Sequence, residues 1–298
     1  MSVELGIKSD PIEYRYSFEW LFTLMEKLDL HHVQLGSWFE MYFLPDEYFT
    51  RLRKLAEEHG VRISSCFSAH RELGGILSPD PDLQKVAMDA YTRFLKIGVL
   101  LGAESVGASI GAVPRDQMQT KTEGIGRAIA GLEELSRRAS GLGLSAVTIE
   151  PMSSLAEPPS TPEEIRHIMT HFEQFHTADP EGTVPVYLCG DVSHGLADAS
   201  GRVTHTHMEL FEMEIPWLWE FHIKNTDAVF GSTFGFGCEE CERGIVDLGE
   251  VWALVRKHAG EFPRETTVGY LEINGPKLGR DYADPLLGGQ LTESIQAI

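Results

Sequence analysis

Short apolar runs alternate with longer amphipathic stretches along nearly the whole chain. The short runs have the β-branched and aromatic content of buried strands, and the longer stretches repeat apolar residues at helical spacing. Eight runs are candidate strands: Val3–Ile7, Val33–Leu35, Val61–Ser65, Ser105–Ser109, Ala146–Ile149, Val186–Cys189, Phe221–Lys224 and Val268–Ile273. Repeated strand and helix units predict an α/β fold with a parallel sheet, and eight strands favour its closure into a (β/α)8 TIM barrel.

Helical spacing is clearest in the segments between these strands. Thr161-Pro162-Glu163-Glu164 combines an N-cap residue, a first-turn proline and first-turn acids, which together predict a helix start. Six segments are predicted helices: Tyr48–Glu58, Pro81–Leu101, Thr122–Ser140, Pro162–Glu173, Met208–Phe221 and Val251–His258. The glycine-rich segment Phe230 to Gly237 is predicted to be a loop with exposed phenylalanines, either over the active face or as an ordinary connection. An open doubly wound sheet is the rival architecture, but no G-x-G-x-x-G motif follows the first strand.

Composition narrows the function classes. The 298 residues are 42% hydrophobic and 23% charged, without a low-complexity linker, which predicts one TIM-barrel domain over residues 1–298. The formal net charge of −20 disfavours binding to nucleic acid phosphates and favours a small neutral or metal-chelated substrate. The amino-terminal segment lacks the features of a secretion signal, and no apolar run is long enough to span a bilayer. We therefore expect a cytoplasmic protein without a nucleic acid or membrane partner.

Four acidic or imidazole side chains each lie at the carboxyl end of a short apolar run: Glu150, Asp191, His222 and Glu272. All strand ends of a parallel barrel open on one face, so these side chains are predicted to converge there. Carboxylates that converge repel each other unless a cation neutralises them, which predicts one divalent metal ion. Three carboxylates and one imidazole form a mainly hard ligand set, so Mn²⁺ is the first choice and Mg²⁺ or Co²⁺ are alternatives.

Four sequence blocks surround these residues: Ile149-Glu150-Pro151-Met152, Gly190-Asp191-Val192-Ser193-His194, Phe221-His222-Ile223-Lys224 and Leu271-Glu272-Ile273-Asn274. Their order and strand positions resemble those of the xylose isomerase-like TIM-barrel superfamily of sugar phosphate isomerases and epimerases, especially its ketose 3-epimerase branch. The resemblance extends over most of the chain and includes three further segments: His70, Leu101-Gly102-Ala103 and Asp281-Tyr282-Ala283-Asp284-Pro285-Leu286.

By this resemblance, Glu150, Asp191, His222 and Glu272 bind the metal ion, and Glu150 and Glu272 also act as catalytic acid and base. The implied activity is isomerisation or epimerisation of a small ketose or ketose phosphate through a metal-stabilised enediolate, with C3 epimerisation favoured. An aldose–ketose isomerase, a hydroxypyruvate-type isomerase and a polyol dehydratase are alternatives on the same metal site. An apurinic-site endonuclease is a further alternative, which the net charge disfavours. Oligomers are frequent in this superfamily, so a homo-oligomer is also considered.

Five residues are candidates for substrate contact: His194, Glu157, His70, Lys224 and Trp38. His194 matches the family's Asp-x-x-His pattern, in which the histidine contacts a substrate oxygen near the metal; a hydrogen-bonded role behind the ligands is the alternative. Glu157 is interpreted either as a contact to the end of the substrate or as a surface loop charge. Trp38, which follows the second strand, is an aromatic candidate for the floor of a sugar site.

Three other features remain outside this pattern. Ala228 stands where the family's epimerases commonly carry an arginine, and Lys224 or Arg243 could substitute for it. Cys238-Glu239-Glu240-Cys241 lacks the second thiol pair of a zinc site and is interpreted as a loop with two reduced thiols. His205-Thr206-His207 has a spacing suited to a second metal, but the helical pattern that follows favours a structural role.

Overall fold

Parallel strands close into an eight-stranded barrel in the computed structural model, which confirms the predicted TIM barrel. The structure describes residues 1–68, 71–274 and 284–298. Its strands are β1 (Ser2–Lys8), β2 (His32–Gly36), β3 (Arg62–Ser68), β4 (Ser105–Ala108), β5 (Ala146–Ile149), β6 (Val186–Asp191), β7 (Leu196–Ala197), β8 (Val203–His205), β9 (Leu218–Ile223) and β10 (Thr266–Leu271). Strands β7 and β8 form a small antiparallel ribbon, and the barrel runs in the order β1-β10-β9-β6-β5-β4-β3-β2.

Helices connect successive barrel strands. They are α1 (Phe18–Lys27), α2 (Asp46–Glu58), α3 (Pro81–Leu101), α4 (Lys121–Leu142), α5 (Pro162–Ala178), α6 (His207–Glu214), α7 (Cys238–Arg243), α8 (Leu248–Lys257) and α9 (Leu287–Ala297). Shorter 3-10 helices cover Asp10–Ile12, Phe39–Phe43, Arg71–Leu77, Arg115–Thr120, Ile215–Trp217 and Asp284–Leu286. Thr161 caps α5 as predicted, because its side chain accepts a hydrogen bond from the backbone N–H of Glu164. No helix in the described ranges is both long and apolar enough to cross a bilayer.

One predicted helix is wrong in its second half. The helix predicted over Met208–Phe221 ends at Glu214, where a 3-10 turn that contains Pro216 begins. The residues Leu218–Ile223 then form β9. The run Ile215–Trp219, which leads into β9, is continuously apolar, and periodicity cannot assign such a short run to a strand or to a buried helix.

Two predictions for the segment after β9 also need correction. Phe230 to Gly237 is a loop as predicted, but Phe234 and Phe236 within it are buried, whereas the sequence suggested exposed rings. The Cys-x-x-Cys motif lies in the short helix α7 and not in a loop. Its two thiols, of Cys238 and Cys241, are free and exposed, so the interpretation of reduced thiols is retained.

Strand β9 shows how the barrel separates apolar from polar side chains. The ring of Phe221 contacts Phe211 of α6 and Trp252 of α8, so this side of the strand packs on the helices. Glu220 and His222 point the other way, into the barrel, where Glu220 accepts hydrogen bonds from hydroxyl groups of β3 and β5. The apolar core therefore lies between strands and helices, and the barrel axis is polar just below the carboxyl ends of the strands.

Candidate metal centre

The structure brings all four predicted ligands together at the carboxyl end of the barrel. Glu150 follows β5, Asp191 ends β6, His222 lies in β9 and Glu272 follows β10. One ligand atom from each residue lies within 4.8 Å of the others, and all four side chains are buried. The β6–β9 pairing places Asp191 beside His222, and the backbone N–H of Glu272 donates to the carbonyl of Ile223. The convergence is therefore built into the strand ladder.

The His222 ring is oriented with Nδ1 toward the acids. Nδ1 lies 3.0 Å from Oε1 of Glu150, 3.4 Å from Oε2 of Glu272 and 3.9 Å from Oδ2 of Asp191. The other ring nitrogen, Nε2, lies 2.7 Å from Oε1 of Gln34 on β2. The nitrogen available to a metal ion is therefore Nδ1.

Two buried lysines, Lys8 and Lys224, contact carboxylates of this cluster, and both contact Glu272. Nζ of Lys224 lies 2.7 Å from Oδ2 of Asp191 and 2.7 Å from Oε2 of Glu272. Nζ of Lys8, at the end of β1, lies 2.5 Å from Oε1 of Glu272 and 3.2 Å from Oδ2 of Asp10. Burial alone would raise the pKa of Glu272, but Lys224, Lys8 and His222 hold it well below its usual range. Glu272 is therefore ionised at neutral pH.

The charge balance of this cluster fits a divalent cation. Four carboxylates face two ammonium groups, which leaves two negative charges uncompensated; these groups are Asp10, Glu150, Asp191, Glu272, Lys8 and Lys224. Oδ2 of Asp191 lies 2.7 Å from Nζ of Lys224 and 3.9 Å from Nδ1 of His222, so this buried oxygen faces the cluster. Carboxylate oxygens are the ligands that hard divalent ions prefer. The oxygen-rich donor set with one imidazole nitrogen suits Mn²⁺ or Mg²⁺ better than a thiolate-binding ion.

Comparisons with known proteins place this geometry in context. No family model matches the sequence, and no curated protein matches it. A solved structure of a protein assigned as a xylose isomerase, from Rhodospirillum rubrum, is 20% identical with a TM-score of 0.76, over 99% of this chain and 98% of that chain. A D-psicose 3-epimerase from Clostridium cellulolyticum, solved with D-tagatose, is 17% identical with a TM-score of 0.68, over 99% and 96%. The IOLI protein, solved with a zinc atom, is 14% identical with a TM-score of 0.70, over 99% and 95%.

The chain has the TIM-barrel fold of these proteins. In this TIM barrel, the predicted substrate contact His194 lies beside the Asp191 carboxylate. Its Nδ1 donates to the carbonyl of Pro151 at 2.7 Å, and its Nε2 lies 3.5 Å from Oδ2 of Asp191. The intervening Ser193 donates from both its backbone N–H and its hydroxyl to Oδ1 of Asp191, at 2.7 and 2.8 Å. The Asp-x-x-His turn therefore holds the carboxylate by one oxygen and turns the other toward the centre.

Trp38 lies in a cavity of 470 Å³ beside the cluster. The cavity is lined from the loops after β1 and β2 and from α1 and α2, and the four predicted ligands do not line it. The Trp38 ring packs against Phe18 and Tyr48, with centroids 5.7 and 6.4 Å apart. The cavity reaches the cluster through Asp10, which lines it and contacts Lys8. Asp10 and Lys8 therefore link the cavity that Trp38 lines to Glu272.

Of the two remaining sequence candidates, the structure describes Glu157 and not His70. Glu157 is half-buried in the loop after β5 and lines a separate cavity of 540 Å³ with Val113 and Arg115. His70 lies outside the described residues, as do residues 281–283 of the segment 281–286. The role of His70 as a substrate contact stays a prediction.

The other metal-binding motifs stay apart from the centre. His205 ends β8 and His207 begins α6, with Thr206 as the N-cap of that helix. Within the described ranges, the four predicted ligands are the one group of His, Cys, Asp and Glu that is close enough to hold an ion. The structural role assigned to the His-x-His motif is consistent with this.

Sequence analysis did not assign Lys8 or Gln34 to the site, although both touch the cluster. Each is a polar residue inside or at the end of an otherwise apolar strand, in Leu5-Gly6-Ile7-Lys8 and Val33-Gln34-Leu35. Both side chains are fully buried, and both contact a predicted ligand. The sequence did carry a signal for these two residues. A barrel strand is buried on both faces, so a polar side chain within it indicates a buried contact.

Proposed function

We propose that this protein is a divalent-metal-dependent sugar isomerase or epimerase that acts on a small ketose or ketose phosphate, with C3 epimerisation as the favoured reaction and Mn²⁺ as the ion. The buried cluster of three carboxylates and one imidazole carries this proposal. Its position at the carboxyl ends of the barrel strands is where TIM-barrel active sites lie. The D-psicose 3-epimerase neighbour has the same fold and binds a ketose in its solved structure, which supports the substrate class.

A divalent ion held by Glu150, Asp191, His222 and Glu272 would supply Lewis-acid polarisation of the substrate carbonyl. Glu150 and Glu272 are the proposed acid and base, because they reach the cluster from β5 and β10 with β6 and β9 between them. One carboxylate removes the proton from one face of the carbon, and the other returns a proton to the opposite face. That exchange inverts the configuration at the carbon.

Lys224 and His194 are the proposed contacts to substrate oxygens. Lys224 has its ammonium group between two ligand carboxylates, so a bound cation would compete with it and turn it toward the substrate. Nε2 of His194 faces the cluster because Nδ1 is committed to a carbonyl. Ala228 is exposed and brings no charge to this site, so Lys224 replaces the arginine of the epimerases in this proposal.

The test is solvent deuterium incorporation. The protein, loaded with Mn²⁺, is incubated in D₂O with a panel of tetruloses, pentuloses, hexuloses and their phosphates, and the sugar is freed of metal before proton NMR. Deuterium at C3 together with the C3 epimer is the expected result. Deuterium at C1 or C2 with an aldose product would replace epimerisation by aldose–ketose isomerisation.

Two controls connect the result to the cluster. Prior treatment with a chelator should stop incorporation, and readdition of Mn²⁺ should restore it. His222→Ala should lower the bound metal, and full retention of metal would remove His222 from the ligand set. If no ketose or ketose phosphate takes up deuterium with metal-loaded protein, the proposed function is wrong.

A further inference from the structure

A layer of polar side chains lies directly beneath the candidate metal centre, inside the barrel. Gln34, Ser65, Thr148 and Glu220 come from four different strands, and all are fully or almost fully buried. Buried polar groups are costly unless each has a partner, and here they bond to one another. Gln34 joins this layer to the metal centre, because its side chain contacts Nε2 of His222.

The carboxylate of Glu220 sets the direction of each hydrogen bond in this layer. Oε1 of Glu220 accepts from the hydroxyl of Ser65 at 3.0 Å and from the hydroxyl of Thr148 at 2.9 Å. The Ser65 hydrogen is thereby committed to Glu220, so toward any other neighbour the Ser65 oxygen can only accept. The neighbour is Gln34, whose amide nitrogen lies 3.5 Å from Oγ of Ser65.

The orientation of the Gln34 amide then determines which nitrogen of His222 carries the hydrogen. With its NH₂ group turned toward Ser65 and Sγ of Cys189, which is 3.8 Å away, its carbonyl oxygen must point at His222. Oε1 of Gln34 lies 2.7 Å from Nε2 of His222 and can only accept. Nε2 therefore carries the hydrogen, and the lone pair of the neutral ring is on Nδ1, the nitrogen that faces the three carboxylates.

We propose that Gln34 is a positioning residue for the metal ion. Its amide is oriented by Ser65, whose hydroxyl donates to Glu220, and it fixes the His222 ring in the Nε2–H tautomer with Nδ1 toward the ion. The inference rests on the metal binding of the proposed function but not on the sugar chemistry. It assigns a role to two polar strand residues, Gln34 and Ser65, that touch no substrate. Groups that hold a metal-ligating histidine in this way typically raise metal affinity 10- to 100-fold.

The test compares variants by metal affinity and by the tautomer of the ring. Gln34→Leu removes the acceptor for Nε2–H at similar volume, and Gln34→Glu keeps an acceptor there. Ser65→Ala leaves Gln34 in place but removes the group that orients it. Thr267→Val is the matched control, because Thr267 is buried in β10 and its hydroxyl has no hydrogen bond within the described residues. Affinity for Mn²⁺ is measured by titration calorimetry, with thermal unfolding in chelator as the measure of folding.

We expect Gln34→Leu to weaken Mn²⁺ binding by about 10- to 100-fold. Gln34→Glu should restore affinity to within about threefold of the wild type, and Ser65→Ala should lie between them. Thr267→Val should bind as the wild type does. In ¹⁵N-histidine spectra of the Zn²⁺-loaded protein, which is diamagnetic, His222 should show a hydrogen on Nε2 and the metal-bound shift on Nδ1.

Two results would overturn the inference. Metal affinity in Gln34→Leu that is within twofold of the wild type would remove Gln34 from the site, and Ser65→Ala gives the same test if Gln34→Leu does not fold. A Zn²⁺-bound Nε2 would contradict the assigned tautomer directly. If the wild-type protein itself binds neither Mn²⁺ nor Zn²⁺, the proposed metal site is wrong, and the role of Gln34 with it. Failure of the metal site is therefore distinguishable from failure of the Gln34 assignment alone.

Discussion

At the amino ends of the barrel strands, charged side chains form matched pairs that face water, whereas at the carboxyl ends an excess of acid is buried. Glu104 pairs with Arg264 at 3.0 Å and with Arg62 at 3.8 Å. Glu4 contacts His32 at 2.5 Å, and burial lowers the pKa of that imidazole. The Arg62 side chain is 66% exposed, and that of Glu4 is 50% exposed. At the other end, the Glu150, Asp191 and Glu272 side chains are at most 11% exposed.

This difference in burial decides what each charge does. Exposed pairs are screened by water and contribute little to stability, so the amino end is a surface with balanced charge. Buried carboxylates are costly unless a cation compensates them, so the carboxyl end favours the binding of positive charge. Lys8 and Lys224 compensate part of the negative charge, and a divalent ion would compensate the rest. The comparison can be tested by changing one charge at a time at each end.

The largest effect is expected from Glu272→Gln. The substitution removes a proposed metal ligand and proton-transfer group, so turnover should fall at least about 10³-fold, and affinity for Mn²⁺ should fall as well. Deuterium incorporation into the preferred ketose and calorimetry are the measurements. Glu104→Gln, which removes a carboxylate at the opposite end of the barrel, is the matched control and should keep normal turnover. Wild-type turnover in Glu272→Gln would remove the acid and base assignment.

Lys8→Met should have the next largest effect, and on stability before activity. It leaves the buried Glu272 and the half-buried Asp10 without one of their cations, so the free energy of unfolding in chelator should fall by about 3–5 kcal/mol. Added Mn²⁺ should recover part of the loss, because the ion supplies positive charge at the same carboxylates. Urea unfolding with and without metal measures both. Lys257→Met, at an exposed pair with Glu212, serves as control, and an equal loss in both variants would contradict the comparison.

A smaller, pH-dependent effect is expected from Glu214→Gln. Burial raises the pKa of Glu214 well above its usual range, with further increases from Asp191 and Glu150. The folded state then holds the proton more tightly than the unfolded state, so this stabilisation is present at low pH and is lost as pH rises through the folded-state pKa. Glutamine stays neutral, so the variant should gain about 1–3 kcal/mol over the wild type between pH 5 and pH 8 in chelator.

Urea unfolding at the two pH values tests this expectation. The difference between Glu214→Gln and the wild type should widen as pH rises, and a constant difference would contradict it. Glu212→Gln, on a more exposed side of the same helix, is the matched control. Its carboxyl has a pKa held below its usual range by hydrogen bonds from Lys257 and His258, so no such widening is expected.

The smallest effect is expected from Arg62→Ala at the amino end. The pair with Glu104 is long and mostly exposed, so the free energy of unfolding should change by less than about 1 kcal/mol, and metal affinity and turnover should not change. Thermal unfolding and the deuterium assay check both. A loss as large as that of Lys8→Met would mean that burial does not separate the two ends.

The strand ends show how far prediction from sequence reached in the candidate site. Each of the four predicted ligands terminates an apolar run, and parallel strands bring such ends to one face whatever the details of packing. Trp38 also follows a strand, yet its side chain turns into a cavity beside the cluster, because Phe18 and Tyr48 pack against it. Strand position thus predicts the region of a side chain but not its direction.

The sequence by itself determined the alternation of strands and helices, the closed barrel and the four residues at its mouth, because these depend on local periodicity and on the shared direction of parallel strands. Only the tertiary structure decided that Lys8 and Lys224 share Glu272 and that Gln34 orients His222. Those contacts join side chains up to 264 residues apart in the chain, and their distances and hydrogen-bond directions arise only when the barrel closes.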